Sequence, residues 1–434
     1  MTARDSLYFV GILMLLVLTG MFQSWNVALG IFNMGLISAI MALGVNMQWG
    51  YAGLFNVGVM GFVALGGLGA VIVSMPVEPG AWAAGGWRIL TALAIGLATI
   101  VSAVVVWKRL DKGWTRALLM IVILVAGWWL FRTVFDPAVA AVEAINPAIA
   151  GNIGGLGLPV LLSWPVGGAL AAAAAWAIGK TALGLRSDYL AIATLGIAEI
   201  VIAVLKNEDW LARGVKNVIG LPRPAVVPYE IDLQRSPDFV ERMGGWGFDP
   251  VSASAIVVKL AYAGLFLTIL LVLLWLAQAA LASPWGRMMR AIRDNEVAAE
   301  AMGKDVTARH LQVFIIGSAI CGLAGAMMTT LDGQLTPGTY QPLRFTFLVW
   351  VMVIVGGSGN NFGAVLGGML IWYLWVMVEP FGQWLISGLT FGLPDGSAIK
   401  EHLLDSAAHM RLLTMGLIML IVLRFSPRGL IPER

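Results

Sequence analysis

S-P-W-G-R-M-M-R-A-I-R-D-N-E-V-A-A-E-A-M-G-K-D-V-T-A-R-H, residues 283–310, is a long charge-dense island in the C-terminal half of an apolar chain. Arg287, Arg290, Arg293, Lys304 and Arg309 stand there against Asp294, Glu296, Glu300 and Asp305, between the apolar runs 260–281 and 311–331. The island carries its own punctuation. Ser283 before Pro284 reads as an N-cap with proline at the first helical position. Asp294 or Asn295 can cap a second, short helix over 296–302, and Gly303 is placed to end it in the left-handed conformation. Asp305 can cap the apolar helix that follows. In the short helix Val297, Ala298, Ala301 and Met302 share one face, and Glu296 and Glu300 share the other at i, i+4. A small helix with a smooth apolar face, held just outside a bilayer, suits docking into a groove on another protein. A solvated connector is the plainer reading of the same residues.

Composition places the chain around this island in a membrane. Hydrophobic residues make up 59% of the 434 and charged residues 12%, against about 25% charged in a soluble domain. Apolar segments recur at 7–22, 27–47, 53–74, 89–107, 117–135, 156–178, 188–206, 258–281, 311–331, 345–357, 363–378 and 411–424. The expected fold is all-α: a single polytopic transmembrane helical bundle over 1–434. A straight span needs about 20 residues, so 345–357 and 363–378 read as a re-entrant pair or as helices that borrow flanking residues. The run 7–22 reads as an uncleaved first span, because one Arg is offset by Asp5 and no A-x-A site follows Phe22.

Loop charges orient the spans by the positive-inside rule. Lys108, Arg109, Lys112 and Arg116 face only Asp111, so that loop belongs inside; 136–152 carries Asp136 and Glu143 without a base and belongs outside. Lys180 and Arg186 mark an inside loop, the long mixed segment 207–257 falls outside, and 283–310 returns inside. Arg424, Arg428 and Arg434 put the tail inside, so both termini are expected in the cytoplasm.

Two polar features lie at membrane depth. Asn46, Gln48 and Asn56 sit among glycines in G-V-N-M-Q-W-G-Y-A-G-L-F-N-V-G and imply a broken or tightly packed helix pair near the cytoplasmic side. Such amides line a cavity or bridge helices. Glu199 lies well inside an apolar segment. A carboxylate at a helix centre costs about 2.5–3.5 kcal/mol on insertion scales, so it is paired, protonated or facing water. It belongs either to a transport path or to a structural hydrogen bond.

The island, from Gly286 and Arg287 through Arg290–Arg293, Asn295, Glu296, 298–301 and Gly303 to G-L-A-G-A at 322–326, resembles the coupling loop of branched-chain amino acid ABC transporter permeases (LivM-type membrane subunits). The resemblance extends to 43–54, to L-R-S-D-Y-L-A-I-A-T-L-G-I-A-E-I from Leu185, to N-V-I-G-L-P-R-P at 217–224, to V-G-G-S-G-N-N-F-G-A-V-L-G-G and to R-F-S-P-R-G-L-I at 424–431. Where the family has S-x-G-H, this chain has Asn56-Val57-Gly58-Val59. Residues 89–150 match nothing in the family pattern and read as an inserted pair of spans.

The resemblance implies a bacterial inner-membrane importer subunit. Its partners would be a homologous second permease, two cytoplasmic ABC ATPase subunits and a periplasmic substrate-binding protein meeting 207–257. Arg287, Arg290, Arg293, Glu296, Ala298, Ala299, Glu300, Ala301 and Gly303 would form the ATPase-coupling element. Asn46, Gln48, Asn56 and Glu199 would be placed on the translocation path. Branched-chain amino acids are the family's default cargo, with urea, short amides or other amino acids moved by close relatives.

No enzyme is expected. A-A-W-A-I-G-K-T at 174–181 lacks the first glycine of a phosphate loop and ends an apolar helix rather than linking strand to helix. His310, His402 and His409 are scattered and Cys321 is the single cysteine, so neither a metal centre nor a cofactor is expected, and nucleic acid is not an expected partner. The competing class is an ion-coupled secondary transporter working through Glu199. Such transporters carry ion-coupling groups in several spans, whereas Glu199 stands alone as a central charge.

Overall fold

Hydrocarbon offers a backbone amide no partner, so apolar runs of this length close their hydrogen bonds within helices. The computed structural model describes residues 3–145, 151–184, 187–341, 345–391, 394 and 397–433. Leu185, Arg186 and Arg434, used above, lie outside the described residues. Each of the twelve apolar segments contains a helix.

The chain opens with α1 (Ala3–Phe22), α2 (Trp25–Ala52) and α3 (Val59–Ser74). A short α4 (Pro79–Ala81) runs through a π-helical turn at Trp82–Gly86 into α5 (Trp87–Arg109), which pairs with α6 (Trp114–Glu143). Then come α7 (Val160–Ala182), α8 (Ser187–Asn207) and an outer cap built from α9 (Asp209–Ala212), β1 (Val218–Ile219), α10 (Glu230–Arg235) and α11 (Pro237–Gly245). The second half holds α12 (Pro250–Ala282), α13 (Pro284–Asp294), α14 (Glu296–Ala301), α15 (Val306–Asp332), β2 (Gln334–Leu335), α16 (Phe347–Gly356), α17 (Asn361–Leu389), α18 (Ala398–Ser406) and α19 (Met410–Phe425). Nine helices among the described residues are long and apolar enough to cross a membrane, or ten if the bent α18–α19 pair counts as one span. The segment 363–378 borrows its C-terminal flank and becomes the 29-residue α17, a full span rather than half of a re-entrant pair. Two passes stay short, α3 with 16 residues and α16 with 10.

The two ends of the bundle are distinct. Arg293 on α13 reaches the end of α2 and Glu433 in the tail, and Asp5 lines the same cavity as Arg290. Both termini therefore share the end that carries 283–310. At the opposite end β1 pairs with β2, with Val218 opposite Leu335. There Leu221 donates to Gly333 O and Ile153 to Trp210 O, each at 3.0 Å.

Lipid tails are as apolar as leucine, so helices associate through close packing of small residues rather than through hydrophobic burial. A side chain on Gly325 of α15 would strike the Val63 backbone of α3, and one on Gly66 would strike the Gly322 carbonyl. Gly167 of α7 meets Gly66 from the other side, so α3, α7 and α15 touch backbone to backbone. Gly367, four residues after Gly363, seats α17 against Met352 O of α16. The α5–α6 hairpin is different. Thr99 packs onto Gly127 along its own seam, and Ala81, Ile89, Ala138 and Val142 cluster with Trp210 at its outer end. Along its length Leu97, Ile100, Val122 and Trp129 are exposed to the bilayer.

Gly325→Leu drives a side chain into a backbone that cannot yield, and overpacking of this kind costs about 1–3 kcal/mol or more. In detergent, its thermal transition is expected to fall by at least about 3 °C, measured by fluorescence-detected size exclusion. Gly11→Leu, where a side chain meets nothing within 4 Å, is expected to match the unmodified chain.

Candidate functional site

The island folds as two short helices joined by one residue. Gly286, Met289 and Ile292 turn one side of α13 into the bundle. Ser283 precedes the helix and Pro284 is its first residue, as expected. The Ser283 hydroxyl, however, donates back to Ala280 O at 2.6 Å, so it closes α12 and does not cap α13. Asn295, not Asp294, caps α14: its Oδ1 accepts from Ala298 N at 2.9 Å. Gly303 takes φ +73°, and Gly303 N donates to Glu300 O while Lys304 N donates to Ala299 O. Asp305 Oδ1 accepts from Ala308 N at 2.9 Å and starts α15.

The short helix presents the expected face. Val297 is 76% and Met302 79% exposed, with Ala298 and Ala301 exposed between them and Glu296 and Glu300 exposed behind. Ala299 alone is buried, so it anchors α14 to its own chain while the Val297–Met302 face stands open.

The three arginines of α13 separate. Arg287 Nη1 donates to Ala282 O at 3.3 Å. Arg290 points into a cavity with Asp5, Tyr51, Gln278 and Glu433. Arg293 turns inward: its Nη1 donates to Gly50 O at 2.5 Å and to Glu433 Oε2 at 2.9 Å, and its Nη2 donates to Asp294 Oδ1 at 3.1 Å. Partial burial pulls the Arg293 guanidinium down, but the Glu433 and Asp294 carboxylates outweigh it and hold it above its ordinary range.

One turn before Gly50, Asn46 continues this polar knot. Its Oδ1 accepts from Gly359 N at 2.9 Å and its Nδ2 donates to Asn361 Oδ1 at 3.1 Å. Gln48 Nε2 donates to Phe314 O at 2.9 Å and Ser318 Oγ at 3.0 Å on α15, and its Oε1 accepts from Asn56 Nδ2 at 2.8 Å. Asn56 in turn holds the break between α2 and α3 through Gly58 N and through Trp350 Nε1, which donates to Asn56 O. All three amides are 1% exposed or less and tie α2 to α15, α16 and α17.

Glu199 lies elsewhere. It is exposed on α8 with Ile192, Gly196, Ile200 and Val204, whereas Ala198 on the opposite side packs against Gly61 of α3. Among the described residues Asp136 is paired with Arg132 and Glu379 with Arg411, but Glu199 makes no ion pair or hydrogen bond. The sequence did not indicate that this carboxylate faces away from its own chain.

At the far end the cap over 207–257 is ordered by Arg223. Its Nη1 donates to Glu230 Oε2 at 2.6 Å, and its guanidinium lies 5.0 Å from the Tyr229 ring centroid. Gln234 Nε2 donates to Ser254 Oγ at 2.9 Å and docks α10 on α12. Trp246 and Phe248 are exposed beside it.

The family described as "Branched-chain amino acid transport system / permease component" matches residues 117–423. The chain belongs to this family. The high-affinity branched-chain amino acid transport system permease protein LivM of Salmonella typhimurium is 27% identical over 301 residues, 67% of this chain and 61% of that protein's length. The probable LivM of Methanocaldococcus jannaschii is 26% identical over 399 residues, 91% of this chain and 90% of that one. The probable LivH of the same organism is 26% identical over 185 residues, 42% of this chain and 50% of that protein. No solved structure matches.

Three members of the site escaped the sequence. Glu433 is a lone acid between the bases of the tail, Gly50 contributes only a carbonyl, and Asn361 sits in a glycine-rich stretch that carried only the family resemblance. The doubled Asn360-Asn361 was the one available signal, since Asn360 caps α17 and leaves Asn361 to face Asn46.

The outer cap has a pH signature. Burial pushes the Glu230 carboxyl up, but the Arg223 guanidinium outweighs it and holds it below its ordinary 4.5. A depressed folded-state value means that the stabilisation is fully present above about pH 4.5 and fades as pH falls below it. Hydrogen exchange is expected to show residues 223–235 protected at pH 6 and opening as the pH drops through that range. In Glu230→Gln the protection is expected to be low throughout, with no such transition.

Proposed function

We propose that the chain is the membrane-spanning subunit of an ABC importer for branched-chain amino acids, driven by separate ATPase subunits that grip α14. The observation that carries this reading is the open Val297–Met302 face. A capped helix, anchored through Ala299 and left with two large apolar side chains in water, has the form of a plug for a groove on another protein. It lies at the end of the bundle that also carries both termini, and loop charges put that end in the cytoplasm.

ATP binding would close the two ATPases and shift α14. Arg293 makes α13 rigid with the end of α2 and with the turn at 357–361, so the shift is passed to helices that meet through Asn46. Alternating access follows if that rotation opens the bundle at one end as it closes the other. The exposed Glu199 stripe on α8 supports a second permease, because a carboxylate left against hydrocarbon is expensive. The LivM and LivH relatives suggest that the second subunit is a homologue. The path would then run between the two permeases with Glu199 on it, while Asn46, Gln48 and Asn56 brace its wall. The outer cap at 207–257, with Trp246 and Phe248 exposed, would receive a periplasmic substrate-binding protein.

A tagged chain purified from detergent-solubilised membranes is expected to bring down P-loop ATPases and a second permease. Gly303→Val places a β-branched residue at φ +73°, and Glu300→Lys reverses a charge on α14. Both are expected to insert normally, to lose the ATPases and to cut labelled leucine uptake by about tenfold or more, the equivalent of ~1.4 kcal/mol. A chain that purifies alone and transports in ATP-free liposomes under an ion gradient would instead place it with the secondary transporters, with Glu199 as the coupling group.

A further inference from the structure

The hairpin of α5 and α6 ends in a basic tip. Lys108 and Arg109 close α5, Lys112 lies in the turn and Arg116 in the first turn of α6, with Asp111 as the one acid among residues 107–116. Arg116 folds back over the turn. Its Nη1 donates to Leu110 O at 3.4 Å, and its guanidinium lies 4.1 Å from the Trp107 ring centroid, within cation–π range. Lys108, Arg109 and Lys112 are exposed and make no hydrogen bond or ion pair among the described residues.

The depth of these bases follows from the helices that carry them. Ile89 packs in the cluster around Trp210 at the outer end. The rise along α5 from Ile89 to Arg109 is about 30 Å, the thickness of the hydrocarbon core. The tip therefore emerges at the opposite interface, on the side of 283–310. Val104, Val105, Leu118 and Leu119 are exposed within about one turn of the bases, so lipid meets both helices up to the tip. Trp107 and Trp114, 58% and 81% exposed, stand at the boundary, where indole rings favour the headgroup layer. A partner in water could approach the tip from one side alone, whereas headgroups surround a hairpin whose flanks face lipid.

We propose that this tip is a docking site for anionic phospholipid headgroups of the cytoplasmic leaflet, with Lys108, Arg109 and Lys112 on the phosphates and Trp107 and Trp114 among the headgroups. Bases clustered just beyond a span gain from the negative surface potential of that leaflet, and an arginine–phosphate contact is a charge-assisted hydrogen bond, the stronger kind. The hairpin is then held at both ends, by the Trp210 cluster outside and by lipid inside. This site involves neither α14 nor Glu199.

The test is native mass spectrometry of the full chain, delipidated in detergent and titrated with phosphatidylglycerol or phosphatidylcholine. The unmodified chain is expected to bind phosphatidylglycerol at least about tenfold more tightly than phosphatidylcholine. Lys108→Gln, Arg109→Gln and Lys112→Gln together remove three exposed, unpaired charges, so the thermal transition is expected to stay unchanged while the preference falls to that for phosphatidylcholine. A control with Lys180→Gln, Arg424→Gln and Arg428→Gln, which removes as many bases elsewhere, is expected to keep the preference. Unchanged phosphatidylglycerol binding by the tip variant, or equal loss in the control, would overturn the proposal. A tip variant that keeps phosphatidylglycerol but loses a protein that co-purifies with the unmodified chain would also overturn it and assign the bases to that protein.

Discussion

A guanidinium drawn from the bundle surface onto a main-chain carbonyl is the constraint that joins the two halves of this molecule. Arg293 is partly withdrawn from water, and a partly buried charge is held best where its donors are spent. Here they are spent on Gly50 O, Glu433 and Asp294. The arrangement ties α13, the end of α2 and the C-terminal tail into one unit. Asn46 extends it to the turn before α17 by accepting from Gly359 N. The surface helix α14 is therefore mechanically continuous with the bundle interior over a short chain of polar contacts.

The rest of the bundle rests on a different kind of contact. Within the hydrocarbon layer α3, α7 and α15 meet through glycines, where dispersion replaces the hydrophobic drive that water would supply. Buried amides at Asn46, Gln48 and Asn56 join α2 to its neighbours with hydrogen bonds that have no competitor in that layer. The two contact types divide the labour: glycine faces set how close helices lie, and the amide knot sets which turn faces which. The α5–α6 hairpin stands apart from this framework and packs on the body around Trp210 at its outer end.

Much of this was legible in the sequence where polarity broke an apolar pattern. The caps at Asn295 and Asp305, the left-handed Gly303 and the Val297–Met302 face could be read because each is a local rule of backbone chemistry. The break after Ala52 could be read from glycines and amides clustered at membrane depth. What stayed hidden depends on partners distant in the chain. Periodicity places Glu199 on a helix but cannot say which face a neighbour covers, and the structure leaves it uncovered. Ser283 looked like a cap, yet its hydroxyl found Ala280 O first. Arg287, Arg290 and Arg293 read as one basic cluster, but they divide among a helix end, a cavity and the interior. Their spacing around α13 held that division only for a reader who already knew where α2 and the tail would lie.

The central claim is that movement of α14 reaches the spans through Arg293, and the ratio of ATP hydrolysed to substrate taken up tests it most directly. With the assembled transporter in proteoliposomes, Arg293→Gln is predicted to keep the ATPases bound and hydrolysing while uptake falls about tenfold, so the ratio rises by that factor. A variant that assembles and hydrolyses ATP with the ratio of the unmodified transporter would contradict the account, and the drive would have to enter the bundle elsewhere.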